Sequence, residues 1–261
     1  MNDRELYRQQ GYLAPIDIID ENAAAPHRVQ LERAEKQIGP LHYMAKIHTV
    51  LTSAANLASH TNILDLVEQC IGPDILVNNV TYIIKEAHSQ AHVSWHQDLT
   101  YWGLDSDDQV SVWLALSPAN KRSGCMRMIP GSHVQGKKTH ILGEKDEHNV
   151  LHQNQRVADI DESLAIHAEL KSGQASFHHG WLLHDSQPNS SDDRRIGLNI
   201  QYIAPHVRQV KKPGSTAWLV RGVDRYHHHL PEQPALTDLE PEALVVREQA
   251  ERLYRSVTAT Q

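Results

Sequence analysis

A histidine and an aspartate two positions apart, His96 and Asp98, form the clearest candidate for a reactive centre in this sequence. In an extended strand, residues i and i+2 project from the same face, so we expect the imidazole and the carboxylate to point together. Such a pair suits a metal ion, although two protein ligands rarely suffice. A facial triad of two histidines and one carboxylate needs a second histidine from a distant strand and leaves other coordination positions open.

The segment Phe177–Asn189 supplies the best partner, His184. His178 and His179 are rivals for the third position, or groups that support the ligands from behind. One of these two adjacent residues must face outward on a strand. If His184 is the third ligand, the strands of the fold must bring it next to His96 and Asp98.

Arg195 opens the next predicted strand, after a polar turn over residues 188–193, so its side chain and that of His184 could face one cavity. A guanidinium buried there would seek a carboxylate, preferably through a bidentate contact. The alternative for Arg195 is a surface ion pair, a role for which adjacent Arg194 is the natural candidate. Basic residues between 208 and 225 could also receive an anionic group if they face the cavity.

Helices are predicted over residues 4–10, 26–38, 48–70 and 241–253, from composition, apolar spacing and the Gly and Pro residues that end them. A long β-branched strand is predicted at 75–85, with further strands at about 92–98, 110–117, 125–129, 156–160, 166–170, 174–179, 181–187 and 196–204. Many short strands after a helical leader predict a mainly β fold with flanking helices. Its core is expected to be a double-stranded β-helix, a jelly-roll, cupin-like arrangement of two packed sheets.

The length of 261 residues fits a single domain, 1–261, with a helical leader over about 1–72, a core over about 75–205 and a C-terminal extension and helix over about 206–261. The chain has no apolar run of about 18 residues and no apolar N-terminal signal, so we expect a cytoplasmic protein without a membrane partner. Its two cysteines are expected to be free thiols. The net charge of -7 argues against a nucleic-acid partner and favours a small-molecule substrate. A monomer or homodimer is expected, and the run His227–His229 has no assigned role.

The set of motifs resembles the phytanoyl-CoA dioxygenase family of Fe(II)- and 2-oxoglutarate-dependent oxygenases. A lone His-x-Asp is weak evidence, but its combination with a glycine-rich block and with the spaced histidine and arginine is specific. The residues that carry the resemblance are His96-Gln97-Asp98, Tyr101-Trp102, Trp113, the block Ser123-Gly124-Cys125-Met126-Arg127-Met128-Ile129-Pro130-Gly131-Ser132-His133, and His184, Ser186 and Arg195.

The resemblance implies that His96, Asp98 and His184 bind Fe(II), with 2-oxoglutarate and O2 as cosubstrates. It also implies a cosubstrate pocket in which Arg195 holds the far carboxylate of 2-oxoglutarate with help from Ser186. Three further residues are implied to line that pocket or contact the substrate: Trp113, Asn79 and Thr81. For the last two, pairing with the backbone is an equally good interpretation.

Asp98 also bears on the reaction, because halogenating relatives in this family have Ala at the corresponding position. The carboxylate here favours hydroxylation of an unactivated C–H in a small organic metabolite, with release of succinate and CO2. The alternative is a cupin-like Zn or Mn isomerase or hydrolase that uses the same three ligands, since imidazole and carboxylate suit those metals too.

Overall fold

The N-terminal quarter of the chain is helical, as predicted, and packs on one face of a large sheet. The computed structural model describes residues 2–258. The leader consists of α1 (Asp3–Gln10), β1 (Tyr12–Asp17), α2 (Glu21–Ile38), α3 (Thr52–Ala58) and α4 (Thr61–Ile71).

Two of the predicted helix boundaries are wrong. Helix α2 begins before Pro26 because the side chain of Asp20 accepts a hydrogen bond from the Ala23 amide and caps the helix there. The single helix predicted over 48–70 is two helices, since His60 adopts an extended conformation and its ring accepts from the Asn62 amide at the start of α4.

The rest of the chain is mainly β, in agreement with the prediction. The strands are β2 (Ile75–Lys85), β3 (Val93–His96), β4 (Gln109–Ala115), β5 (Met126–Met128), β6 (His140–Ile141), β7 (Arg156–Val157), β8 (Ile166–Ala168), β9 (Gln174–His178), β10 (His184–Ser186), β11 (Arg195–Ile203), β12 (Thr216–Arg221) and β13 (Leu230–Pro231). Two more helices are α5 (Leu99–Trp102) and α6 (Pro241–Thr258). The predicted strands do not include β6, β12 and β13, and β1 was expected only as an extended segment after α1; β6 and β13 contain two residues each.

The strands form a seven-stranded sheet in the order β1-β9-β4-β11-β2-β12-β13 and a four-stranded sheet in the order β3-β10-β5-β8. Every pairing in these sheets is antiparallel except that of β12 with β13. These sheets confirm the predicted mainly β fold and its jelly-roll core. Assignment of the whole chain to one domain stays a prediction.

Strand β11 shows how the large sheet separates core from cavity. Its even-numbered residues Ile196, Leu198 and Ile200 are fully buried in the main hydrophobic cluster with the leader helices. Three of its odd-numbered residues, Arg195, Asn199 and Gln201, line a cavity on the opposite face. Because side chains alternate along a strand, the apolar residues of β11 pack against the leader helices on one face of the sheet. The polar residues between them face the cavity and are available for chemistry.

The free thiols of Cys70 and Cys125 agree with the prediction. Within residues 2–258, none of the helices combines the length and apolar character that crossing a membrane requires.

A buried ionic cluster ties the C-terminal extension to the leader. The Glu232 carboxylate lies 2.8 Å from Lys46 Nζ and 2.8 Å from His48 Nε2. Burial alone would raise the pKa of Glu232, but Lys46 and then His48 lower it to about 2. The ionised carboxylate therefore stabilises the folded chain at pH values above the ordinary pKa of glutamate. This contribution is lost as the pH falls from there towards 2.

We expect Glu232→Gln to lower the free energy of unfolding by about 3 kcal/mol at neutral pH. The deficit should persist down to the ordinary pKa of glutamate and shrink towards pH 2, because the folded-state pKa is depressed. Urea unfolding across that pH range measures it, with Glu144→Gln in an exposed loop as the control. A deficit that does not change with pH would contradict this account.

Candidate active site

His96, Asp98 and His184 come together on the cavity wall, as the sequence predicted. One possible ligand atom from each of the three lies within 4.8 Å of the others. The two histidines are direct cross-strand partners, because β10 pairs with β3 in the register that sets His184 opposite His96. Their ring centroids are 4.1 Å apart. The group matches the size and donor types of a metal centre with two imidazoles and one carboxylate.

Both rings are fixed by their own backbone. The Nδ1 atom of His96 lies 2.9 Å from the Ser94 carbonyl, and that of His184 lies 3.0 Å from the Leu182 carbonyl. A protonated Nδ1 that donates to a carbonyl leaves Nε2 with a lone pair for a metal. Burial and then His96 lower the pKa of His184 to about 3, which favours the neutral, metal-binding ring.

The expected strand geometry of Asp98 is wrong. Strand β3 ends at His96, and Asp98 has helical dihedral angles (φ -56°, ψ -46°) immediately before α5. The carboxylate nevertheless meets the two rings, with Oδ1 lying 3.5 Å from His96 Nε2 and 3.8 Å from His184 Nε2. A turn after the strand, rather than strand alternation, brings these ligands together.

The second oxygen of Asp98 is held by the large sheet. Oδ2 accepts a 3.0 Å hydrogen bond from the Ser111 hydroxyl and lies 3.5 Å from His178 Nε2. Burial alone would raise the pKa of the Asp98 carboxyl, but the surrounding imidazoles, His178 foremost, hold it well below its usual value. The carboxylate is therefore ionised and turned so that Oδ1 faces the two other ligands.

The two rival histidines do not join the group formed by His96, Asp98 and His184. His178 is buried behind Asp98, which is the supporting position that the sequence left open to it. His179 points away, with Nε2 lying 3.7 Å from an Asp107 carboxylate oxygen and Nδ1 accepting from the Trp181 amide.

Arg195 is buried, with 1% of its surface exposed, and lines the same cavity. Its Nη1 donates to the Gly124 carbonyl at 2.6 Å, and its guanidinium carbon lies 5.1 Å from the ring centroid of Trp113. Its Nε is buried with no hydrogen-bond partner among residues 2–258. Burial lowers the pKa of Arg195 to about 10, so it remains a cation near neutral pH with an unused donor.

The neighbouring Arg194 faces the opposite way and forms ion pairs with Glu35 and Glu86. The predicted division between an inward and an outward arginine is therefore correct. The outward partners are these two glutamates rather than the acidic residues of the preceding turn.

Ser186 lies beside Arg195 on the cavity wall and is linked to a residue that the sequence analysis missed. Lys85 Nζ donates to the Ser186 hydroxyl at 2.8 Å. Burial and then the charge of Arg195 lower the pKa of Lys85 to about 6. From the sequence alone, a lysine at the end of a hydrophobic strand would be expected to lie in solvent. Its burial follows from the strand pairing, which sets Lys85 opposite Arg195.

Asn79 and Thr81 line the cavity and also bond to the backbone, as the backbone-pairing interpretation expects, and their contact with cosubstrate or substrate stays a prediction. Asn79 Oδ1 accepts from the Lys46 amide at 2.8 Å, and the Thr81 hydroxyl donates to the Met44 carbonyl at 3.0 Å. These bonds fix the chain around Tyr43, which forms another part of the wall.

The cavity has a volume of about 440 Å³ and is lined by segments from distant parts of the chain. The wall contributed by these segments includes Tyr101, Trp102, Val150, Leu151, Tyr254 and Arg255. Tyr254 and Arg255 belong to helix α6 and lie just beyond the end at 253 that the sequence predicted for it. The 208–225 segment does not line this cavity, and Arg208, Arg221 and Arg225 pair instead with acidic residues at the surface.

Gly197 allows Trp113 to lie flat against β11 beneath Arg195. A Cβ atom at position 197 would lie 1.9 Å from the Trp113 ring, so Gly197→Ala must displace that ring. We expect the substitution to lower the free energy of unfolding by about 1 to 3 kcal/mol, the usual effect of overpacking. Urea unfolding measures this loss. In the double variant with Trp113→Phe the two losses should be less than additive, and strict additivity would show that the contact is unimportant.

Comparison with known proteins agrees with this geometry. A family model described as phytanoyl-CoA dioxygenase (PhyH) matches residues 7–197. Phytanoyl-CoA dioxygenase 1 of Oryza sativa subsp. japonica is 34% identical over 122 residues, which cover 47% of this chain and 42% of that protein. The probable alpha-ketoglutarate-dependent hypophosphite dioxygenase of Stutzerimonas stutzeri is 29% identical over 185 residues, covering 69% of this chain and 59% of that protein. The chain therefore matches about half the length of these two relatives.

A solved structure is similar over nearly the whole chain. The apo form of the non-heme monooxygenase ThoJ has a TM-score of 0.88 and 31% sequence identity, covering 98% of this chain and 97% of that chain. Fe(II) and 2-oxoglutarate, the predicted metal and cosubstrate, are confirmed by these matches, whereas the Zn or Mn isomerase or hydrolase is not favoured. The family model spans well over half of the sequence, and the chain belongs to the phytanoyl-CoA dioxygenase family of Fe(II)- and 2-oxoglutarate-dependent oxygenases.

Proposed function

We propose that this protein hydroxylates a C–H bond of a small organic molecule bound in the cavity. In the overall reaction, one oxygen atom of O2 enters the substrate and the other enters succinate, while 2-oxoglutarate loses CO2. The observation that carries the proposal is the combination, in one cavity, of the ligand group at His96, Asp98 and His184 with the buried, incompletely paired cation of Arg195.

The donor set fits Fe(II). Two neutral imidazoles and one carboxylate are the ligands of non-haem iron oxygenases, and they leave coordination positions open for other molecules. Ser111 and His178 would hold Asp98 in place from behind, and the Ser94 and Leu182 carbonyls would orient the rings. When bound, the metal would supply the redox chemistry that activates O2.

The cosubstrate pocket fits a dicarboxylate. Arg195 has a buried Nε without a partner, and among residues 2–258 neither it nor Lys85 forms an ion pair with an acidic side chain. A carboxylate would satisfy the unused donor and offset the desolvated charge. We assign the far carboxylate of 2-oxoglutarate to Arg195 and Ser186, with Trp113 as the surface on which the guanidinium rests.

The substrate would occupy the outer part of the cavity, between the metal ligands and helix α6. Aromatic side chains of Tyr101, Trp102 and Tyr254 form much of this wall and would exclude water from the reacting carbon. The Tyr101 hydroxyl is buried without a hydrogen-bond partner in the described part of the chain, so it is available to a polar group on the substrate. Asn79 and Thr81 lie on the sheet side of the same space.

Hydroxylation, rather than another oxidation, is supported by the intact Asp98 carboxylate and by the similarity to a protein described as a non-heme monooxygenase. The test is a panel of small amines, carboxylates and natural-product intermediates supplied with Fe(II), 2-oxoglutarate and isotopically labelled O2. We expect a substrate whose product carries one labelled oxygen and forms in equal amount to succinate. A product without added oxygen would contradict hydroxylation, and turnover without O2 or 2-oxoglutarate would contradict the oxygenase itself.

A further inference from the structure

Lys85 is a buried amine that the proposed function does not explain. It is the last residue of β2, lies directly opposite Arg195 in the register with β11, and is 3% exposed. Its Nζ donates to three oxygens on one short stretch: the Ser186 hydroxyl at 2.8 Å, the Ser186 carbonyl at 3.2 Å and the Gln187 carbonyl. All three acceptors are neutral, so nothing in these contacts balances the charge that the amine carries when it is protonated, and its pKa is correspondingly low.

These contacts determine what the Ser186 hydroxyl can do. A serine hydroxyl has one hydrogen to donate and two lone pairs. Lys85 uses one of the lone pairs, and no acceptor within residues 2–258 takes the hydrogen. Ser186 lines the cavity, whereas Lys85 lies behind it and does not. The hydroxyl hydrogen is consequently left for a molecule in the cavity, and that molecule must offer an acceptor.

The same space favours negative charge. Arg195 is a buried cation, the Lys85 amine opposite it becomes a second one when protonated, and among residues 2–258 no acidic side chain forms an ion pair with either. Asp185, the neighbour of Ser186 in sequence, is already bonded through both oxygens to Arg127. A monovalent carboxylate beside Ser186 and Arg195 would accept from both and would offset the charge of Arg195 and of protonated Lys85.

We propose that Lys85 is a positioning residue for the cosubstrate, which presents the Ser186 hydroxyl as a hydrogen-bond donor to the distal carboxylate that Arg195 holds. This inference rests on the proposed function, because it assumes a 2-oxo dicarboxylic acid in the pocket. Lys85 would then favour cosubstrates that carry a second carboxylate over those that lack one. It contacts Ser186 and forms no hydrogen bond or ion pair with any of the three proposed metal ligands.

The test compares two ligands on the Fe(II)-loaded protein without oxygen. 2-Oxoglutarate has the distal carboxylate, and 2-oxobutanoate lacks it. We expect Lys85→Met to raise the Kd for 2-oxoglutarate by about 10-fold or more, as for the loss of a hydrogen bond to a charged group. The Kd values for 2-oxobutanoate and for Fe(II) should change by less than about twofold. Calorimetry or titration of the visible absorption band gives all three constants.

A second pair of variants separates positioning from general disruption. Ser186→Ala should produce the same selective loss, and the double variant should bind 2-oxoglutarate no more than about twofold more weakly than either single variant, because both changes remove one donor. Lys46→Met, at the other buried lysine, is the matched control and should lower stability without changing the preference between the two ligands.

The outcomes distinguish the two proposals. Equal weakening of both ligands, additive losses in the double variant, or unchanged binding in Lys85→Met would overturn the role of Lys85. Absence of 2-oxoglutarate binding to the unmodified, iron-loaded protein would instead overturn the proposed function on which it rests.

Discussion

Replacement of Asp98 with Ala should abolish substrate hydroxylation and weaken Fe(II) binding by about 100-fold or more. Loss of a residue that merely supports a metal ligand typically costs 10- to 100-fold in affinity or activity, so loss of a ligand should cost at least as much. The physical reason is that Asp98 supplies the only negative charge in the ligand group, through the oxygen that faces His96 and His184. Fe(II) affinity measured by competition with a chelator, together with succinate release, tests this expectation.

The control for this variant is Asp192→Ala, which removes an exposed carboxylate from the turn before β11. It should leave both Fe(II) affinity and turnover unchanged. The folded state of the Asp98 variant is checked by circular dichroism, because a buried carboxylate surrounded by imidazoles contributes to the charge balance of the site. Full activity in Asp98→Ala would exclude the metal centre that we assign.

Replacement of Arg195 with Met should raise the Kd for 2-oxoglutarate by about 100-fold, through loss of charge-assisted hydrogen bonds in a buried site. Methionine fills similar space along Trp113, so the loss should appear in cosubstrate binding more than in folding. Lysine at this position should restore only part of the affinity, since it keeps the charge but not the planar arrangement of donors. Binding is measured on the iron-loaded protein without oxygen.

The adjacent residue provides a matched control. Arg194→Met removes a guanidinium one position away, whose partners are Glu35 and Glu86 on the other face of the sheet. We expect it to lower stability and to leave the Kd for 2-oxoglutarate unchanged. If the two variants weakened cosubstrate binding equally, the loss would have to be attributed to disruption of β11 and not to an anion anchor.

Local sequence signals were sufficient for the elements that carry the site. The β-branched run Ile75–Lys85 is a strand with the predicted bounds, and β11 begins at Arg195. Strand alternation required one of the two adjacent arginines to face inward, and the position of Arg195 at the start of the strand after His184 selected it. The choice of His184 over two nearby histidines depended on combining the spacing with a family resemblance, since all three have the same chemistry.

What the sequence did not reveal depends on contacts between distant segments. Lys85 is recognisable as a buried residue only when its pairing with Arg195 is known. Helix α6 was predicted as a helix, but nothing in its sequence indicated that Tyr254 would reach the cavity. The helical turn at Asp98 was missed because His-Gln-Asp fits a continuing strand equally well, and tertiary contacts with Ser111 decide otherwise.

Anaerobic titration of the purified protein with Fe(II) and then 2-oxoglutarate tests the assigned metal and cosubstrate sites together. We expect a weak visible charge-transfer band that appears only when both are present and that saturates at one 2-oxoglutarate per chain. The band should be lost in Asp98→Ala and should require far more 2-oxoglutarate in Arg195→Met. A folded, iron-loaded protein that shows no band at saturating 2-oxoglutarate would contradict the account.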